Sequence, residues 1–201
     1  MNRPALLLLH GWGFDARLWD ALAAALPDFP IVRWDRGYFG PPAAPVIEGA
    51  VVGIGHSLGS MLLADMLAPE APLIAINGFD HFTGPDGVAL RVVERMQCRF
   101  AEAPSDVLTD FRARCGAPPA NAELDEARLA DDLSLLATHH AAPGPRRILS
   151  LQGGMDPILP ACLRDEVFPG ATRATCKEAG HLLPVTHASW CAAQIRAFLC
   201  K

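Results

Sequence analysis

Short unbroken apolar runs alternate along this chain with stretches in which apolar residues recur every three or four positions. Residues 4–10 carry the clearest run: Ala5 is followed by four leucines, with Pro4 and Gly11 at the borders. Such a run fits a strand buried on both faces. Asp15 stands where a helix cap is expected. Leu18, Leu22 and Leu26 then share one helical face before Pro27 and Pro30 stop it. Residues 31–34 read as a second strand, 37–45 as a Gly- and Pro-rich loop, and 50–55 as a third strand. Helical character over 58–67 begins directly after Ser57. Residues 73–76, 148–151 and, more weakly, 171–176 supply three further strands. A last helix over 187–199 can turn Trp190, Ile195, Phe198 and Leu199 toward them.

Strand alternating with helix predicts the α/β class: a mostly parallel sheet of about six strands with right-handed crossovers and flanking helices. The exception is 81–147, which has no strand pattern and reads as two to four helices broken by Pro and Gly. Inserted between the fourth and fifth strands, it is expected to lie over the carboxyl edge of the sheet as a short lid. Residues 1–201 are expected to form one domain.

Composition narrows the function classes. Of 201 residues, 51% are hydrophobic and 19% charged, with a mean hydropathy of +0.20. A disordered chain would be poor in apolar residues and rich in charge. A net charge of −5 and a pI near 5.8 lack the basic footprint of a nucleic-acid binder. The apolar run near the start spans only residues 5–9, where a membrane-spanning helix needs about 20 residues. It ends in His10-Gly11-Trp12-Gly13, which is not a signal-peptide cleavage site. A cytoplasmic monomer is expected, with neither nucleic acid nor membrane as partner. Cysteines 98, 115, 162, 176, 191 and 200 form no C-x-x-C pair and no zinc spacing. They are expected to be thiols, most of them packed as small apolar residues, and neither metal nor cofactor is expected.

Gly55-His56-Ser57-Leu58-Gly59 is a G-x-S-x-G motif that follows a strand and opens a helix. In that setting the turn pushes the serine out above the sheet, near the positive end of the helix dipole. A serine hydroxyl needs a base. Among seven histidines, His181 is best placed, in a loop after the last strand, with His187 the nearest rival. His10 and His56 are expected to be structural, and His139 and His140 to lie on the lid surface. The base needs an acid to fix its tautomer. Asp156, in Gly154-Met155-Asp156-Pro157, ends a strand and gives the chain order Ser57, Asp156, His181. Alone, Asp156 would read better as a turn-former before proline; the three elements together favour the triad. Acyl transfer also needs donors for an oxyanion. The backbone N–H of Leu58, after the nucleophile, and that of Trp12, in the early Gly-rich loop, fit this role, and the Trp12 indole is then expected to border the acyl site.

Together His10-Gly11-Trp12-Gly13, Gly55-His56-Ser57-Leu58-Gly59, Gly154-Met155-Asp156 and Gly180-His181 resemble the α/β-hydrolase superfamily. The resemblance covers nearly the whole chain outside the lid. It departs in length: the first two strands usual there are expected to be absent, and the lid is expected to be short. Phe14, Trp19, Ala75-Ile76-Asn77-Gly78-Phe79 and Phe111-Arg112-Ala113-Arg114-Cys115-Gly116 add a narrower resemblance to the esterases of biotin synthesis. Those enzymes remove the methyl ester from pimeloyl-acyl carrier protein. The resemblance implies catalytic roles for Ser57, Asp156 and His181, and oxyanion donors at Trp12 and Leu58.

Arg91, Arg95 and Arg99 recur at helical spacing within the lid, followed by Arg112 and Arg114. They suit the phosphates and carboxylates of an acidic carrier protein. They would equally serve as a solvated face paired with Glu94, Glu102, Asp106 and Asp110. The alternatives to the carrier-protein esterase are a small-molecule carboxylesterase, thioesterase or C–C bond hydrolase, and a non-catalytic binding protein of the same fold.

Overall fold

A computed structural model of the chain describes residues 3–46, 49–85 and 87–200. Its strands are β1 (Ala5–Leu9), β2 (Ile31–Trp34), β3 (Val51–His56), β4 (Leu73–Ile76), β5 (Ile148–Gly153) and β6 (Thr172–Cys176). They form one sheet in the order β2-β1-β3-β4-β5-β6, and every pairing is parallel. The chain leaves β1 to one side for β2, then crosses back to β3 on the other side. The crevice outside the carboxyl ends of β1 and β3 is therefore the switch point where parallel sheets seat ligands.

The leucines of β1 divide between two cores by strand alternation. Leu7 and Leu9 join Met61, Leu63, Leu73 and Ala75 on one face; Leu6 and Leu8 join Trp19, Leu22, Ile54 and Ile74 on the other. The first core is completed by helix α2 (Leu58–Met66) and by three helices between β4 and β5: α3 (Leu90–Glu102), α4 (Pro104–Cys115) and α5 (Glu126–Thr138). The second is closed by α1 (Asp20–Ala24) and by α8 (Ala188–Leu199), with the short α7 (Leu183–Thr186) before it. Helix α6 (Ala161–Glu166) follows β5.

Several boundaries differ from the sequence expectation. Asp15 does cap, its carboxylate accepting the N–H of Arg17, but what it caps is a 3-10 turn, Ala16–Trp19. The regular α-helix begins only at Asp20 and ends at Ala24, two residues short of Leu26. Strand β5 runs two residues past Leu151, because Gln152 and Gly153 pair with Thr175 and Cys176 of β6. Cys115, Cys176 and Cys191 are buried, whereas Cys98, Cys162 and Cys200 are exposed. Half of the cysteines, rather than most, thus pack as core residues. Among the described residues, no helix is long and apolar enough to cross a membrane, and no cluster of ligating side chains could hold a metal ion.

Candidate active site

The turn from β3 into α2 forces Ser57 to φ 52° and ψ −126°, a conformation that only a surrounding lattice of contacts sustains. Ser57 donates its N–H to the Ile76 carbonyl at 3.1 Å, and its own carbonyl accepts from Ser60 N–H at 3.0 Å. The turn closes so tightly that a Cβ at Gly59 would lie 2.2 Å from the Leu9 carbonyl oxygen, and one at Gly55 2.3 Å from Ser60 Cα. Glycine is required at both positions by lack of space. Leu58 is the first residue of α2, so its N–H has no carbonyl of the helix to bond.

His181 lies in the loop between β6 and α7 and is completely buried. Its Nδ1 and Asp156 Oδ2 are 2.8 Å apart. The other carboxylate oxygen of Asp156 accepts the N–H groups of Ile158 and Leu159, at 2.7 and 3.2 Å. Burial alone would raise the Asp156 pKa. The charge and hydrogen bond of His181 and the two backbone N–H groups outweigh it and hold the carboxyl below its ordinary value. Asp156 is thus an anion whose oxygens are all committed. With Nδ1–H given to it, the imidazole is left with a bare Nε2, and among the described residues that buried atom has no hydrogen-bond partner, Ser57 Oγ included. His187, the rival, is half-buried, and among the described residues its ring bonds its neighbour Thr186, at 2.9 Å.

The loop after β1 lies against this arrangement. A Cβ at Gly11 would fall 2.8 Å from Ser57 Cβ, so that loop touches the serine itself. Among the described residues the backbone N–H of Trp12 has no partner. The Trp12 indole is buried, and its Nε1–H donates to the Leu129 carbonyl of α5 at 2.8 Å. Edge-to-face contacts with Phe100 of α3 and Phe111 of α4 complete its seat. The side chain expected to border an acyl site therefore also ties the loop to the helices above it. Phe111 reaches further, its ring edge-on to His181 at 6.5 Å. Ser57 is only 5% exposed.

The five arginines divide. Arg91, Arg95 and Arg99 are exposed on α3, and Arg99 pairs with Asp110 at 3.0 Å. Arg95, Arg99 and Arg114 rim a groove of about 450 Å³ between α3 and α4, floored by Met96, Val107 and Phe111. Arg112 turns inward. It donates to the carbonyls of Gly13 at 2.6 Å and Pro118 at 2.7 Å, and its guanidinium stacks over Phe14. Half-buried, it braces the loop after β1. The sequence gives no role to Asn77, a fully buried polar residue that directly follows β4 and bonds both the His181 loop and β5. The available signal was an Asn-Gly pair closing an apolar strand, a place where only a left-handed backbone continues the chain.

No family model matches the chain. Its structure is similar over its full length to an esterase from Exiguobacterium antarcticum, with a TM-score of 0.79 at 15% identity, covering 93% of that chain. Parallel sheet, serine turn and superposition define the α/β-hydrolase fold. In sequence the chain is 28% identical to a pimeloyl-[acyl-carrier protein] methyl ester esterase of Aromatoleum aromaticum, over 97% of this chain and 98% of that one. It is also 30% identical, over 139 residues, to the biotin biosynthesis bifunctional protein BioHC of Cellvibrio japonicus. That match takes in 55% of this chain and only 27% of the bifunctional one. The chain thus has the α/β-hydrolase fold.

Proposed function

We propose that the chain is a serine carboxylesterase that removes the methyl ester from pimeloyl-acyl carrier protein, in biotin synthesis. The observations that carry the serine-esterase part are the buried His181–Asp156 hydrogen bond, with Nε2 unpartnered among the described residues, and the strained turn at Ser57. His181 Nε2 takes the proton of Ser57 Oγ as the oxygen attacks the ester carbonyl. The charge that develops on the carbonyl oxygen is met by the N–H groups of Trp12 and Leu58. His181, now an imidazolium beside the Asp156 carboxylate, gives its proton to the departing methoxide. Methanol leaves and an acyl-serine remains. Water, deprotonated by the same Nε2, then attacks the acyl-serine; the proton passes back to Ser57 Oγ and the free carboxylic acid is released.

The substrate rests on the two relatives named above, which act in biotin synthesis or bear that esterase's name, and on the arginines of the helical cover. In this reading 81–147 is the lid of a single hydrolase domain. Arg91, Arg95, Arg99 and Arg114 face an acidic carrier protein, while Arg112 acts inside. A carrier-bound substrate implies work in the cytoplasm. The experiment compares methyl pimeloyl-carrier protein with short and long p-nitrophenyl esters. Charge reversal at Arg91 or Arg95 is expected to raise KM for the carrier-bound ester severalfold, as salt does by screening rim charges over roughly 8–10 Å. Small esters are expected to be unaffected. Equal effects on both substrates, or none on either, would remove the carrier protein and leave a small-molecule esterase.

A further inference from the structure

We infer that Asn77, together with His56, is a positioning residue that fixes His181 by clamping the carbonyl oxygen of its own backbone. The inference rests on the reading of His181 as the general base. Two side chains converge on that one oxygen: Asn77 Nδ2 at 2.8 Å and His56 Nε2 at 2.9 Å. Asn77 Nδ2 also donates to the Gly180 carbonyl at 2.9 Å, and Asn77 Oδ1 accepts the Gly153 N–H at 2.7 Å. The Gly153 carbonyl in turn accepts the N–H of Asp156 at 3.2 Å. One amide therefore joins the loop that carries the base to the strand end that carries the acid.

The chemistry fixes the orientation of both groups. A flipped Asn77 amide would set its oxygen against two carbonyl oxygens and its NH₂ against an N–H. A carbonyl can only accept, so His56 holds its proton on Nε2. Burial is the main influence on His56; it lowers the pKa to about 3, which keeps the ring a neutral donor at working pH. The His56 ring lies 4.7 Å from that of His181 and is seated edge-on against Phe14 and Trp19. Asn77 and His56 are fully buried. Asn77 holds φ at 45°, a left-handed backbone that asparagine tolerates better than most side chains.

The imidazole of His181 is thus held at two points. Asp156 takes Nδ1, and the clamp sets the backbone from which the ring hangs. Neither Asn77 nor His56 is needed for proton transfer itself. Their effect is on where Nε2 sits relative to Ser57 Oγ, and a misplacement of ~1 Å can cost about 100-fold in rate.

Asn77→Gly keeps the left-handed backbone and deletes the amide. His56→Phe keeps the ring and deletes the donor, and His56→Gln returns an N–H near the same position. All are assayed with a p-nitrophenyl ester well below their melting temperatures, alongside proton NMR of the Nδ1–H resonance between His181 and Asp156. In Asn77→Gly and His56→Phe, kcat is expected to fall roughly 10- to 100-fold with KM within about twofold. The resonance is expected to shift or broaden, and His56→Gln to recover most of both signals. A folded Asn77→Gly and His56→Phe with kcat within about threefold of the parent and an unmoved resonance would overturn the clamp. So would a loss that merely follows the fraction unfolded. If Asn77→Gly does not fold, the His56→Phe and His56→Gln pair decides alone. His181→Ala separates the two readings. Full activity in His181→Ala removes the general base but leaves the resonance to report on the clamp. An inactive His181→Ala with a fully active Asn77→Gly removes only the clamp.

Discussion

Replacing Asp156 by asparagine changes one atom and is expected to stop the proposed reaction almost completely. Asp156 Oδ1 accepts both Ile158 N–H and Leu159 N–H, whereas Oδ2 faces His181 Nδ1. An asparagine that keeps its oxygen toward the two backbone donors must aim its NH₂ at Nδ1. The imidazole can meet that only by moving its proton to Nε2, which abolishes the base. The flipped amide would instead leave two buried N–H groups facing another N–H, at about 1–3 kcal/mol each. Switching the tautomer is the smaller penalty, so the inactive arrangement wins. The expected loss in kcat is about 10⁴-fold, equivalent to roughly 5.5 kcal/mol of transition-state stabilisation. Hydrolysis of a p-nitrophenyl ester at pH 8, with active-site titration to count competent enzyme, measures it. Nitrogen-15 NMR of the imidazole should show the proton on Nε2. A loss below about tenfold, in a folded variant, would refute the assignment of Asp156 as the orienting acid.

Three further outcomes are expected from the same geometry. His56 is neutral when folded, with a pKa depressed to about 3 from an ordinary 6.5. Its stabilising effect is complete above pH 6.5 and fades as pH falls below it. Urea unfolding should show a loss of about 2 kcal/mol between pH 7 and pH 5 that is absent in His56→Gln; equal slopes in both proteins would contradict it. Gly59→Ala, whose Cβ would sit 2.2 Å from one backbone carbonyl and 2.6 Å from a second, should lose at least about 2 kcal/mol in denaturant unfolding. Asp132 is buried, holds Arg36 through two hydrogen bonds of 2.8 and 2.5 Å, and accepts the Tyr38 hydroxyl at 2.5 Å. Asp132→Ala should therefore cost about 3–5 kcal/mol, and an unchanged melting temperature would show the pair to be dispensable.

The parts of the molecule legible in the sequence are those set by local pattern. Leucine after leucine in β1 and the G-x-S-x-G turn each carry their geometry within a few residues. The strand ends at His56 and Gly153 carry theirs less fully, since the last rungs depend on a neighbouring strand. The pairing of Asp156 with His181 could be expected because chain order on this scaffold brings them to one edge. The inward turn of Arg112 was not legible. An arginine on a helix looks the same whether it faces water or a carbonyl on a loop nearly a hundred residues away. The Trp12 indole bonding Leu129, and Asn77 bridging the His181 loop and the end of β5, are likewise contacts between distant segments that no periodicity encodes. For the same reason, the arginine spacing could not separate exposed Arg91 and Arg95 from Arg112.

The most direct test of the central claim is covalent. A fluorophosphonate probe reacts with a serine whose proton can be taken by an adjacent base, and intact-mass and peptide spectrometry then locate the adduct. One adduct is expected, on Ser57, with its rate of formation collapsing in His181→Ala. Labelling at another residue, or undiminished labelling of Ser57 without His181, would contradict the account.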